Sequence, residues 1–184
     1  MRTNPPARIL SHYRHAAPEQ VLAGVTWYPR AYHAGARIAS KHGYTPEQAC
    51  GVIASLSPLA PWDKNVEIAE TAMVYHALGL GVQPLTLAWT NSVKAWAILD
   101  GARPKDVLRG PKVTAFFAAI MGYEDAVTVD TWAWRAAYGC NPPYAPTPAQ
   151  SGRTGDYYRQ AARMVDLSPS ALQAIVWIVI RSNS

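Results

Sequence analysis

Cysteine is scarce in this 184-residue chain, which contains only Cys50 and Cys140. Two cysteines exclude a disulfide framework and a metal site with four thiolate ligands, including an iron–sulfur cluster of that kind. The five histidines have no metal-ligand spacing with acidic residues. We therefore expect no metal site and no cofactor.

Long apolar runs are also missing. The apolar run at residues 174–180 is far too short to span a bilayer. The N-terminal sequence MRTNPPARIL has no apolar core of the signal-peptide type. These absences predict a soluble cytoplasmic protein with no membrane partner and no required protein partner.

The composition is that of a packed globule. Hydrophobic residues make up 49% of the chain, with seven Trp and ten Tyr, and the net charge is +5. The length suits one compact domain or two closely packed lobes. A modest basic excess permits binding to a polyanion but does not require it.

Helical signals occur along most of the chain, whereas a strand-like pattern is limited to residues 127–129. Thr45-Pro46-Glu47-Gln48 predicts a capped helix start, and the apolar helix through Ser57 should be central and buried. Asn91 or Ser92 should cap a helix that ends at Leu99. Further helices are predicted near residues 8–15, 26–42, 63–78, 113–120, 131–138, 156–166 and 168–180. Residues 141–155, rich in proline and glycine, predict a long exposed loop. The predicted fold class is all-α.

The stretch that says most about function lies at residues 108–135 and reads LRGPKVTAFFAAIMGYEDAVTVDTWAWR. Lys112 stands at the start of an apolar helix after a short basic turn, and Asp130 follows a β-branched run 18 positions later. A helix, a turn and a return segment can bring this amine and this carboxylate to one cleft.

This pattern resembles the helix-hairpin-helix DNA glycosylase superfamily, which includes endonuclease III, adenine glycosylase and 8-oxoguanine glycosylase. The matching residues are Gly110, Lys112, Val113 and Ala115, followed by Val129, Asp130, Thr131 and Arg135. Residues 52–69 resemble the segment that precedes these motifs, so the resemblance covers about residues 45–138. The turn L-R-G-P has one glycine fewer than the family's L-P-G-x-G, and Trp132 stands where a histidine is frequent.

The resemblance implies a two-lobed helical bundle of the helix-hairpin-helix glycosylase type, a compact form without an iron–sulfur cluster. The expected lobes are residues 45–138, and residues 1–44 together with 139–184. The expected function is a DNA N-glycosylase that excises a damaged or modified base, extended by lyase activity if a lysine forms a Schiff base. Three alternatives stay open. They are a phage enzyme acting on thymine-derived bases in DNA without excision, a catalytically silent DNA-binding module, and an all-α interaction protein.

In the family, the lysine and the aspartate carry the chemistry. Lys112 would attack the sugar carbon C1′ as an amine nucleophile, and its alternative role is a surface lysine that contacts a phosphate. Asp130 would stabilise an oxocarbenium-like transition state and orient the attacking group. Its alternative role is the N-cap of the next helix.

Enzymes that act on a stacked base must extrude it and brace the gap. The predicted DNA contacts are Arg103, Lys105, Arg109 and Gly110 around the turn, with Leu59 as a wedge and Asn65 as a polar contact. The predicted base pocket comprises Trp132, Trp27 and Tyr28, which could stack on a base. The alternatives are an ordinary charged loop for the first set and core packing for the aromatic residues.

Overall fold

The computed structural model of the chain describes residues 4–142 and 144–182. Within these residues the chain forms eleven α-helices and no β-strand, which confirms the predicted all-α class. None of the described helices is both long and apolar enough to cross a membrane. In chain order the helices are α1 (Pro5–Arg14), α2 (Pro18–Val25), α3 (Trp27–His42), α4 (Pro46–Leu56), α5 (Trp62–Ala77), α6 (Trp89–Leu99), α7 (Pro104–Val107), α8 (Pro111–Ile120), α9 (Thr131–Tyr138), α10 (Pro148–Arg163) and α11 (Pro169–Ser182).

The described residues divide into two compact units. One, here the terminal unit, combines the residues up to 29 with those from 110 onward, and the other, the inserted unit, comprises residues 30–109. This division differs from the predicted lobes of residues 45–138 and 1–44 plus 139–184. The reason is that α9 packs against α1 and α11, so the motif region belongs with the two ends of the chain.

Helix α4 is the centre of the inserted unit, as its apolar sequence predicted. The backbone N–H of Gln48 donates to the Thr45 hydroxyl at 3.1 Å, and the backbone N–H of Thr45 donates to the side-chain oxygen of Gln48 at 3.0 Å. The predicted capping box is therefore confirmed. Every residue from Ala49 to Leu56 is buried, and α4 packs against α5, α6 and α7.

The core of the terminal unit is built mainly from α1, α9, α10 and α11. Its buried members are Ile9, Leu10, Val127, Val129, Ala133, Ala136, Ala137, Tyr158, Ala161, Ala162, Leu172, Val176 and Ile180. Helix α2 lies directly against α11, because Gly24 has no side chain to hold the two backbones apart.

The predicted loop at residues 141–155 is wrong for its second half, because α10 begins at Pro148. The Thr147 side chain accepts the Gln150 N–H at 3.3 Å, and the Gln150 side chain accepts the Thr147 N–H at 2.9 Å. This Thr-Pro-x-Gln start repeats the signal that opens α4. Helix α2 was not predicted, and α6 begins at Trp89 rather than after a cap at Asn91 or Ser92.

We expect Gly24→Ala to destabilise the protein, because a methyl group there would lie 2.6 Å from Ile175 Cα and 2.7 Å from Ile175 N. Backbone atoms cannot move aside cheaply, so a loss of about 1–3 kcal/mol is expected. Gly152→Ala is the matched control, since Gly152 also lies in a helix but has open space around it. There alanine should stabilise by about 0.5–1 kcal/mol. Urea denaturation measures both effects, and equal effects would contradict the close approach of α2 to α11.

We also expect a pH-dependent contribution from Glu70, whose pKa is lowered by hydrogen bonds from Lys41 (2.6 Å) and His42 (3.1 Å). A lowered pKa in the folded state stabilises the fold above the ordinary carboxyl pKa, and this contribution is lost as the pH falls through the folded-state value. Glu70→Gln should therefore lower stability at pH 7 by less than about 1 kcal/mol, with the difference vanishing in acid. The control is Glu67→Gln, whose partner Lys64 and own side chain are both largely exposed. An effect of Glu70→Gln that does not change with pH would contradict this account.

Candidate active site in the terminal unit

Asp130 is held at the start of α9 through both of its carboxylate oxygens. Its backbone is extended, and Oδ1 accepts the backbone N–H of Ala133 at 2.8 Å. Oδ2 accepts the indole N–H of Trp177, on α11, at 3.0 Å. The half-buried carboxylate is therefore an N-cap, a role worth about 1 kcal/mol, and it is fixed from two directions.

The residues that lead to Asp130 alternate between two environments. Val127 and Val129 are buried in the core of the terminal unit. Thr128, between them, lies 3.0 Å from the Tyr28 hydroxyl instead. The Asp130 charge acts on the pKa of Tyr28, so Asp130 also lies on the side of this segment where Tyr28 is found.

Four aromatic rings gather on that side, and we name them the aromatic cluster: Trp27, Tyr28, Phe116 and Trp177. The ring centroid of Trp27 lies 4.9 Å from that of Tyr28, 5.9 Å from that of Phe116 and 6.2 Å from that of Trp177. The rings meet edge to face or tilted, as aromatic pairs prefer. The cluster joins α3, α8 and α11 beside the Asp130 carboxylate.

A buried polar group accompanies the cluster. The Tyr28 hydroxyl lies 2.7 Å from Gln173 Oε1 as well as 3.0 Å from Thr128 Oγ1, and Gln173 is only 4% exposed. With one hydrogen, the phenol donates to the amide oxygen and can accept from the threonine. Burial raises the pKa of Tyr28 far above its ordinary value, and the nearby Asp130 charge raises it further, against the Thr128 hydrogen bond that lowers it. Tyr28 is therefore a neutral hydrogen-bonding group at physiological pH.

Lys112 lies in the first turn of α8, and its side chain is exposed. The preceding Gly110 has φ 88° and ψ 141°, a conformation that residues with a side chain avoid. Lys112 and Phe116 are four residues apart and so share one helix face. Through Phe116 that face contacts Trp27 and Tyr28.

The predicted meeting of amine and carboxylate is not seen as a direct contact. Among the described residues Lys112 forms no ion pair within 4 Å, with Asp130 or any other acid. Asp130 adjoins the aromatic cluster through Trp177, and Lys112 is on the face of α8 that carries Phe116.

The basic residues before the turn belong to the inserted unit. Arg103 and Lys105 are exposed at α7, and Arg103 forms an ion pair with Asp106 at 2.7 Å. The exposed Arg109 donates to the Leu108 carbonyl at 2.9 Å. A surface ion pair of this kind contributes little to stability.

Leu59 and Asn65, the two DNA contacts predicted after α4, differ in their exposure to solvent. Leu59 is 90% exposed and has a positive φ of 67°, an uncommon conformation for a residue with a side chain. Asn65 is only 2% exposed, and its amide donates to the Ile53 carbonyl at 3.0 Å. The prediction of Asn65 as a surface contact to DNA is therefore corrected: this side chain joins α5 to α4 inside the inserted unit.

The predicted base pocket is only partly assembled. Trp27 and Tyr28 belong to the aromatic cluster. Trp132 instead packs against the core of the terminal unit, with the Arg135 guanidinium 4.4 Å from the centre of its ring. Core packing was the alternative for Trp132, and it accounts for the position of this side chain.

The sequence alone did not place Trp177 or Gln173 in the site. Trp177 lies 47 residues from Asp130, and Gln173 lies 145 residues from Tyr28. No local spacing rule connects such distant residues. The described part of the chain contains no group of three or more His, Cys, Asp and Glu side chains arranged to hold a metal ion.

Comparison with known proteins gives one match. A family model described as a family of unknown function (DUF7178) matches residues 2–184. Searches of curated proteins and of solved structures found no significant match.

The two hydrogen bonds of Asp130 can be separated by substitution. Asp130→Ala removes both and should cost about 1–3 kcal/mol, of which about 1 comes from the cap. Asp130→Ser keeps a short hydroxyl that can cap α9 but cannot reach Trp177. This variant should therefore recover the part of the stability that the cap contributes. Urea denaturation of the two variants measures the difference. Equal stability of the serine and alanine variants would show that the cap contributes nothing.

Proposed function

We propose that the chain, which belongs to the family of unknown function DUF7178, is a DNA N-glycosylase that uses Asp130 as its central catalytic group. The observation that carries the proposal is the placement of this carboxylate. The carboxylate stands at the start of α9, two N–H donors fix it, and it adjoins the aromatic cluster through Trp177.

The proposed reaction breaks the bond between C1′ of the sugar and a nitrogen of the base. The bonding electrons leave with the base, which takes up a proton from water, and positive charge develops on the sugar. A fixed carboxylate stabilises that charge more effectively than mobile water, because it needs no reorganisation as the charge develops. Water then adds its oxygen to C1′ and gives up a proton, which Asp130 can accept.

The aromatic cluster supports recognition of an extruded base. Aromatic faces stack on any base, and stacking contributes about 1–3 kcal/mol per base. Tyr28, Thr128 and Gln173 form a buried polar group beside the cluster through their mutual hydrogen bonds, which holds the Tyr28 ring in place.

Lys112 has two roles consistent with its exposed position in the first turn of α8. As a neutral amine it would attack C1′ and form a Schiff base, which is the lyase route. As an ammonium it would bind a phosphate, together with the N-terminal N–H groups of α8, which no side chain caps. The exposed Arg103, Lys105 and Arg109 and the net charge of +5 suit the same polyanion.

The exposed Leu59 suits a wedge that fills the gap left by an extruded base. Leu59 contributes little to the stability of the folded protein, because its apolar side chain is 90% exposed and its backbone conformation is uncommon.

A catalytically silent DNA-binding module is the second candidate, and one observation favours it. Asp130 already has a complete structural role, since each oxygen accepts a hydrogen bond from the protein. The basic surface would then bind DNA without any bond being broken.

The proposal predicts that Asp130→Asn lowers base release by about two to three orders of magnitude, because asparagine can still cap α9 but carries no charge. The measurement is mass spectrometry of free bases released from genomic DNAs of different modification content. Asp166→Asn is the matched control, since Asp166 is exposed and has a positive φ that asparagine tolerates.

Three results discriminate between the candidates. If the wild-type protein releases base and the Asp130→Asn variant releases it equally fast, Asp130 is not part of the mechanism. Salt-dependent DNA binding with no release and no altered base would indicate the silent module, whereas altered bases that stay in the DNA would indicate the non-excising enzyme. Borohydride trapping of an adduct with abasic duplex, lost in Lys112→Gln but kept in Lys64→Gln, would identify Lys112 as the nucleophile.

A further inference from the structure

The second oxygen of Asp130 has a partner that a helix cap does not require. Capping needs one acceptor, and Oδ1 supplies it to Ala133. Oδ2 accepts from Trp177 Nε1 at 3.0 Å, a hydrogen bond that spans 47 residues of sequence. In the terminal unit, a tryptophan on α11 therefore helps to orient the carboxylate that caps α9.

Several contacts hold that tryptophan in place. Helix α11 packs against α2 and α9 within the terminal unit, and the close approach of Gly24 to Ile175 leaves little room for it to shift. Trp27 meets the indole ring at a centroid distance of 6.2 Å and an interplanar angle of 63°. Arg181, one helical turn further along, places its guanidinium 4.3 Å from the centre of the same ring.

We propose that Trp177 is a positioning residue for Asp130 and that Arg181 supports it by stacking on the indole. This inference rests on the proposed glycosylase function. The terminal torsion of an aspartate is broad, so a carboxylate held by one oxygen can rotate about its Cβ–Cγ bond. A second donor on the other oxygen fixes the plane of the group.

Fixing the carboxylate plane matters because the catalytic charge must face C1′ as positive charge develops there. Preorganised groups contribute to catalysis because they need not reorient during the reaction. A displacement of about 1 Å can cost about 100-fold in rate. Trp177 does not transfer a proton in this role, and its N–H stays with the indole throughout.

The test compares two variants that remove the indole N–H and differ in how much of the ring system they keep. Trp177→Phe keeps an aromatic ring, and replacement of Trp177 by benzothienylalanine keeps the bicyclic shape with sulfur in place of N–H. Both should lower the single-turnover rate of base release by about 10- to 100-fold. The Kd for duplex that contains a tetrahydrofuran abasic analogue should change less than twofold.

Trp96→Phe is the matched control, because Trp96 also donates its indole N–H, to the Leu80 carbonyl at 3.1 Å in the inserted unit. It removes the same kind of hydrogen bond and should leave the rate of base release within twofold. Arg181→Gln should lower the rate by only a few-fold, and Arg181→Lys, which keeps a cation over the ring, should restore part of it.

A measurement without DNA tests the contact itself. In the free protein the Trp177 indole N–H should be protected from hydrogen exchange, and Asp130→Ser should remove that protection. Wild-type protein that releases no base overturns the proposed function and this inference with it. Active wild-type protein with an unaffected benzothienyl variant, or an unprotected Trp177 N–H, overturns the positioning role alone.

Discussion

Two N–H donors from distant parts of the sequence converge on the single carboxylate of Asp130. One is the backbone of Ala133 in the first turn of α9, and the other is the indole of Trp177 on α11. Hydrogen bonds to a charged acceptor are stronger than neutral ones. One side chain therefore sets where α9 begins and links that point to α11.

A second buried phenol adds a hydrogen bond beside this link. The Tyr158 hydroxyl donates to the Ala133 carbonyl at 3.2 Å. Side chains therefore form hydrogen bonds with both backbone groups of Ala133, Asp130 with its N–H and Tyr158 with its C=O. Burial raises the pKa of Tyr158 well above its ordinary value, and the charge of Asp130 adds to the effect. Both buried phenols next to Asp130, Tyr28 and Tyr158, therefore remain neutral donors and cannot add a second negative charge.

The parts of this structure that local sequence determines were predictable. The Thr45-to-Gln48 signal forms the box that opens α4, and the same signal at Thr147 could have placed the start of α10, had proline and glycine content not suggested a loop. Asp130 as an N-cap also follows from its neighbours in sequence. Packing decides the rest, since it places Asn65 in the interior and brings Trp177 to Asp130.

Helix capping alone does not require a charge at residue 130. Serine and asparagine cap helices about as well as aspartate does, and a carboxylate without a cation partner is costly to bury. Asp130 is half-buried among aromatic rings and forms no ion pair with any described residue. The two protein donors occupy two of about four acceptor positions on its oxygens, and no other described residue occupies the rest. An unpaired, fixed carboxylate of this kind suits a ligand that brings or develops positive charge, and in the proposed reaction the sugar that is losing its base develops such a charge.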